Sequence, residues 1–410
     1  MSNLIFNEGY KSSNLIFDKG VGSKIYLKKK SFIDLSNCAG SLLLGHNSKI
    51  FQNALKKYLK NKISIFAHPN IHAVNYSKNI KKIFPQFNKI IFCNSGSEAI
   101  IKSLRISRSI NNKKYIVSVA GSWHGSVDKL LYHADKNFNP KKLSDGLSEV
   151  DKQNLKFIPY NDIERSKKIL SKIRKNINCL IIEPIQGCLP LQNARSYLKF
   201  LEKFCKKNSI ILIFDEMITG VRVENGSVHR RYKIRPDITT IGKAVSGGLP
   251  NGIIGVSNKL SRLINKKKIF FGGTFSGNSL SSFVGNETLK YFSKNKFIIK
   301  NLNKKSEYFQ KSLNLYLEKN KIDAKVYRFD SILRIVFSKN IVFNRSQRDF
   351  FEKKNLQKIK KFRSFLLNKK IYYPTSGIIF FSNATSYEEI NFVLKNFKLG
   401  LNNIFNKKIK

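Results

Sequence analysis

The chain is short of acid: 26 aspartates and glutamates stand against 76 lysines and arginines, a formal net charge of +50 over 410 residues. Tryptophan occurs once, and the five cysteines (Cys38, Cys93, Cys179, Cys188 and Cys205) are scattered with no CxxC pair. An odd, dispersed set of thiols argues against a structural zinc site and for a reducing, cytoplasmic setting. No metal site is expected. Long apolar runs are missing too. Stretches such as 209–214 (SIILIF) are strand length, far short of a membrane span. The opening MSNLIFNEGYKSS lacks a basic stretch followed by a long apolar one, so no secretory leader is expected. Arginine-rich tracts and aromatic-basic interleaving are absent as well. Lysine, asparagine, isoleucine, phenylalanine and serine are inflated together along the whole length, which reads as compositional drift and predicts no nucleic-acid partner. The charge itself keeps nucleic-acid binding as an alternative and anionic substrates as a secondary inference. What remains is an ordinary globular composition, 41% hydrophobic and 12% aromatic, long enough for two domains.

From about residue 88 to 256, apolar runs of strand length alternate with helical patterns. The runs are KIIFC (89–93), YIVSVA (115–120), CLIIEP (179–184), SIILIFDE (209–216), DITTIG (237–242) and GIIGVS (252–257). Between them Ala99, Ser103 and Ser107, or Ile100 and Leu104, repeat at helical spacing, and 196–208 is amphipathic. Strands apolar on both faces and separated by helices predict an α/β fold with a mainly parallel sheet flanked by helices. Beyond residue 300, Lys-rich helices at 304–320 and 357–370 accompany short strands at 332–337 and 378–382, which predicts a smaller α+β domain. The expected division is an N-terminal segment (1–45) packing with the small domain, a large domain (46–299) and the C-terminal small domain (300–410).

In such a sheet, ligands sit beyond the carboxyl ends of the strands. The first end reads Asn94-Ser95-Gly96-Ser97 at a helix start, where small residues leave backbone N–H groups free for a phosphate. The plain alternative is a serine N-cap with a glutamate a few residues on. The second end, GSWHGS, sets Trp123 beside His124 between two glycines, a surface on which a flat ring could stack. Further ends carry Glu183 and Asp215-Glu216. A carboxylate at the tip of an apolar strand is costly without a cationic partner, a loop cap being the alternative. Lys243, 28 positions after Asp215 (243 minus 215), stands alone in PDITTIGKAVSGGLPNGIIG (236–255), with small residues directly after it. An aspartate that keeps a pyridine nitrogen protonated and a lysine that captures an aldehyde are what pyridoxal 5'-phosphate needs.

The stretches NSGSEA, GSWHGS, IIEPIQG, LIFDEMITGVRV, PDITTIGKAVSGGLPNGIIG and GGTFSGN, in that order, resemble the class III pyridoxal-phosphate-dependent aminotransferases. Within that family the chain is most similar to the glutamate-1-semialdehyde 2,1-aminomutase branch, although EPIQG is nearer the transaminases. The resemblance implies a fold type I homodimer with shared active sites. It implies a Schiff base on Lys243, Asp215 on the pyridine nitrogen, and Gly96 and Ser97 on the phosphate. Trp123 would stack on the ring where tyrosine or phenylalanine is usual, with Met217 against the opposite face. His124 and Glu183 would lie by the cofactor, and Thr274 would reach the phosphate in the neighbouring subunit. Three departures fall on the substrate side. The first residues carry no arginine to take a substrate carboxylate, NCAG (37–40) stands where the branch has SWGP, and PTSGIIFF (374–381) lacks an expected glutamate. The expected reaction is transfer of an amino group from a small-molecule donor to an aldehyde or keto acceptor. A divergent aminomutase is the alternative.

Overall fold

The apolar runs pair into one seven-stranded sheet in the order 89–93, 252–256, 238–242, 211–215, 177–182, 115–119, 155–158. A computed structural model describes residues 15–405; the stretch up to residue 14, read above for a leader and for an arginine, lies outside them. Strand Gly252–Val256 is antiparallel to both its neighbours, and the other pairs are parallel. All strands but that one therefore end at the same edge. Leu155–Ile158, too short to stand out as an apolar run, closes one side.

Successive side chains of a strand point to opposite faces. Leu180, Ile182, Leu212 and Phe214 bury on one face, in a cluster shared with helices Ile163–Ile173 and Arg195–Lys207. Cys179, Ile181, Ile211 and Ile213 bury on the other, with helix Gly96–Ile110. Cover on both faces explains why the runs show no polar alternation. One contact fixes the site's geometry: a Cβ on Gly252 would run into the carbonyl oxygen of Ser95, so only glycine lets the start of helix Gly96–Ile110 rest on the sheet.

The two ends of the chain build the rest. Lys19–Val21, Lys24–Leu27 and Lys30–Asp34 form an antiparallel meander, and Ile371–Tyr372 adds to it in parallel beside Lys30–Asp34. A second antiparallel sheet joins Lys325–Phe329, Ile332–Val336 and Ile378–Phe380. Ile33 and Leu35 share one buried cluster with Phe309, Leu313, Phe362 and Phe397 of the late helices. No helix among the described residues is long and apolar enough to cross a membrane.

Candidate active site

Asp215 ends its strand directly opposite Thr240 of the neighbouring parallel strand. Thr240 Oγ1 donates to Asp215 Oδ1 at 3.3 Å and the Met217 N–H to the same oxygen at 3.1 Å. The other oxygen, Oδ2, is hydrogen-bonded with His124 Nδ1 at 2.8 Å. Asp215 is 4% exposed and His124 5%, so this pair is dry. His124 arrives from the loop after Tyr115–Val119, and that loop packs tightly: a Cβ on Gly125, whose φ is 76°, would collide with Ser97 Oγ. His124 Nε2 is buried and has no partner among the described residues.

Lys243 follows directly on strand Ile238–Gly242, in the left-handed region at φ 48°. A lysine there is strained by about 1–2 kcal/mol, which marks a position the surroundings impose. No hydrogen bond or ion pair of its Nζ occurs among the described residues. Burial lowers its pKa, against the pull of Glu183 and Asp215, and the like charge of Arg222 works in the same direction as burial. An amine in this state is a nucleophile at a lower pH than an exposed lysine.

At the first strand end both readings of the sequence hold together. Ser95 Oγ accepts the Glu98 N–H at 3.1 Å, and Glu98 Oε2 accepts the Asn94 N–H at 2.7 Å, a reciprocal cap. That cap leaves the N–H groups of Gly96 and Ser97 without a partner among the described residues, at the positive end of a 15-residue helix. Ser97 Oγ accepts the Ser126 N–H at 3.0 Å, which ties the helix start to the His124 loop. Met217 Sδ lies in a slot between two glycines, 3.1 Å from a Cβ built on Gly96 and 2.8 Å from one on Gly242. Trp123 is 52% exposed, and its N–H donates to Glu183 Oε2 at 2.8 Å. Glu183 Oε1 accepts the Gly187 N–H at 3.4 Å. Burial, helped by the Asp215 charge, pushes Glu183 up to about 7.

The structure thus gathers Gly96, Ser97, Trp123, His124, Glu183, Asp215, Met217 and Lys243 along one sheet edge. Thr274 is not among them: it is exposed on a loop whose Gly273 rests over Glu98 and Lys102. Two residues at this edge escape sequence reasoning. Thr240 reads as one more strand residue, and its hydroxyl finds Asp215 only through the register. Arg222 reads as a loop cation, yet it is 0% exposed. Glu216 turns the other way from Asp215, onto His229 Nδ1 at 2.6 Å and the Val228 N–H at 2.8 Å, as strand alternation dictates.

The donor set suits pyridoxal 5'-phosphate: free N–H groups for a phosphate, a buried carboxylate at depth, an unpaired amine, an indole at the rim and a slot filled by sulfur. Residues 5–352 match the family described as Aminotransferase class-III, and the chain belongs to that family of pyridoxal-phosphate-dependent enzymes. Among named relatives, the glutamate-1-semialdehyde 2,1-aminomutase of Archaeoglobus fulgidus is 33% identical over 366 residues, 87% of this chain and 85% of the relative. That of Methanosphaera stadtmanae is 29% identical over 403 residues, 97% and 93% of the two chains. An omega-transaminase from Sphaerobacter thermophilus has the same fold at a TM-score of 0.87 and 18% identity, covering 98% of this chain and 94% of its own. A glutamate-1-semialdehyde aminomutase from Pseudomonas aeruginosa follows at 0.86 and 16%, covering 96% and 88%.

The Glu183 environment has a consequence for stability. Its folded value near 7 lies above the ordinary 4.5, so between those values the folded chain holds a proton that the unfolded chain releases. The stabilisation is fully present below 4.5 and is lost as pH rises through 7. Relative to Glu183→Gln, the cofactor-free protein should therefore lose about 3 kcal/mol between about pH 5 and pH 8. Urea unfolding of both proteins across that range checks this; parallel stability curves would show that Glu183 does not titrate there.

Proposed function

We propose that this enzyme moves an amino group from a small-molecule donor to an aldehyde or keto acceptor, with Lys243 as the residue that captures the cofactor's aldehyde. The observation that carries this reading is the pairing of an unpartnered, desolvated Lys243 amine with the Asp215 carboxylate on adjacent strand ends. Bound here, pyridoxal phosphate would act as an electron sink for the carbon that carries the amine. Asp215, braced by His124, Thr240 and the Met217 N–H, would keep a proton on the ring nitrogen. The Gly96 and Ser97 N–H groups would hold the phosphate, and Trp123 and Met217 would hold the ring from either side. His124 acts through Asp215, and Glu183 steadies Trp123 through its backbone N–H. Lys243 Nζ would serve as the base that takes a proton from the substrate carbon and returns it, a role worth about 10²–10⁴ in rate.

In this reading residues 46–299 form the large domain that binds the cofactor, 1–45 an N-terminal segment that packs with the small domain, and 300–410 the small domain. No arginine occurs before Arg105, so the early segment offers no guanidinium for a substrate carboxylate. An aminomutase must retain its intermediate while both ends visit the cofactor, and a charge-assisted arginine contact is a strong means of doing so. A transaminase releases its product and is reset by a second substrate. The absence therefore favours transamination, and the names of the relatives favour amino migration on glutamate-1-semialdehyde as the second reading. Loaded with pyridoxamine phosphate, the protein should convert an acceptor once and stop until a donor such as glutamate is added. Borohydride should fix the pyridoxal form onto Lys243. Sustained isomerisation of glutamate-1-semialdehyde without a donor would establish the second reading, and an adduct on another lysine would remove the site assignment.

The working unit in this proposal is a homodimer with shared sites. Exposed Phe66 and Phe275 meet edge to face at 6.0 Å, Ile71, Val74 and Phe270 are exposed as well, and exposed apolar side chains of this kind favour a covering partner. Thr274 is exposed on the same loop as Phe275, and in this reading it completes the phosphate site of a second copy. Mixing Lys243→Ala with Thr274→Ala subunits should restore activity, because one site of each heterodimer carries neither lesion. An active species that sediments as a monomer contradicts the shared site.

A further inference from the structure

Among the described residues Lys102 is the one lysine with almost no exposure, at 3%. It lies in the second turn of helix Gly96–Ile110, with Nζ 2.8 Å from Glu98 Oε1. The other oxygen of Glu98 accepts the Asn94 N–H, so the pair belongs to the cap of that helix. On an open helix face an i, i+4 pair contributes about 0.2–0.5 kcal/mol. Taking an ammonium out of water costs several kcal/mol. Pairing with Glu98 therefore does not explain why Lys102 is buried.

The loop that carries Thr274 lies over this pair. Ser276 N–H donates to the Gly273 carbonyl at 2.9 Å and closes a turn whose central residues, Thr274 and Phe275, are both exposed. Both ends of the turn rest on the pair. Lys102 Nζ donates to Ser276 Oγ at 3.4 Å, and a Cβ on Gly273 would lie 3.0 Å from Glu98 Oε1 and 3.6 Å from Lys102 Nζ. Further along the helix, Arg105 Nη1 donates to the Phe270 carbonyl at 2.7 Å. Glu98, Lys102 and Arg105, at i, i+4 and i+7, share one helix face, and the loop is laid along it.

Beyond the turn the loop is held by neutral amides. Asn278 Nδ2 donates to the Phe275 carbonyl at 2.9 Å, and Asn70 Nδ2 to the Gly277 carbonyl at 3.0 Å. Thr274 makes no hydrogen bond of its own among the described residues, so its place is set by the ends of the turn. One helix thus offers free N–H groups at its start and a seat for this turn on its flank.

We propose that Lys102 is a positioning residue for Thr274: with Glu98 it seats the turn 273–276 and so sets where the Thr274 hydroxyl meets a phosphate held in the neighbouring subunit. This rests on Thr274 being part of a shared site. The test is the affinity of the cofactor-free full chain for pyridoxal phosphate and for pyridoxal, which lacks the phosphate, by equilibrium dialysis. Lys102→Met keeps the bulk and removes the donor. Ser276→Ala removes the acceptor and leaves the Lys102–Glu98 pair in place. Both, like Thr274→Ala, should weaken pyridoxal phosphate about tenfold, the effect of one lost hydrogen bond to a charged group, and leave pyridoxal unchanged. The double variant Lys102→Met with Thr274→Ala should bind no more weakly than Thr274→Ala alone, because Lys102 acts through Thr274. Losses that multiply in the double variant, or an equal loss for pyridoxal, would overturn the proposal and leave Lys102 as a plain partner of Glu98. So would unchanged pyridoxal phosphate affinity in Ser276→Ala, which decides alone should Lys102→Met fail to fold. Unchanged affinity in Thr274→Ala would instead remove the shared site and the proposal with it, so the two failures are told apart.

Discussion

Dry charge is the constraint on which the site depends. At one edge of an apolar sheet the chain buries two carboxyl groups, Asp215 and Glu183, a histidine and one cation, Arg222, with the half-buried Lys243 beside them. None of these could be placed there alone, because an isolated ion in such surroundings costs several kcal/mol. Opposite signs are set beside one another, and the strained details around them follow from keeping them in place. The left-handed Lys243, the left-handed turn at 37–40 and the glycines at 96, 242 and 252 all belong to that arrangement.

The cofactor half and the substrate half of the molecule are built differently. Strand ends of a single parallel sheet carry the groups proposed to hold the cofactor, so their spacing is set by backbone pairing. Around them, pieces remote in sequence meet: Gly40 from one end of the chain, Ser331 and Phe380 from the other, with Arg222 between them. Backbone pairing tolerates little drift. Contacts between remote pieces can change without disturbing the sheet, which is where the chain departs from the aminomutase wording.

That contrast also decides what the sequence made legible. The strands announced themselves as apolar runs, and a lone lysine in a nearly uncharged stretch pointed to Lys243. A carboxylate at a strand tip marked Asp215, and the family motifs then named the cofactor. The pairing of Ile371–Tyr372 with Lys30–Asp34 could not be read, because nothing local links segments so far apart. His124 was legible as a site residue, but its grip on Asp215 was not, since the two come from loops of different strands. Arg222 was hidden for the same reason: among so many basic residues a buried cation looks like any other, and only burial and the lack of an acid set it apart.

The central claim is that Asp215 is the counter-charge on which cofactor binding turns. Trp123, the only tryptophan, lies at the rim of the site and reports directly on what enters it. Titrating cofactor-free protein with pyridoxal phosphate while following Trp123 fluorescence, for the unmodified chain and for Asp215→Asn, measures the claim without reference to any substrate. The account predicts a binding curve displaced to about tenfold weaker affinity or more, with the fold unchanged and the shape of the side chain preserved. Superimposable curves would mean that Asp215 only caps its strand, and that the charge balance described here does not govern the site.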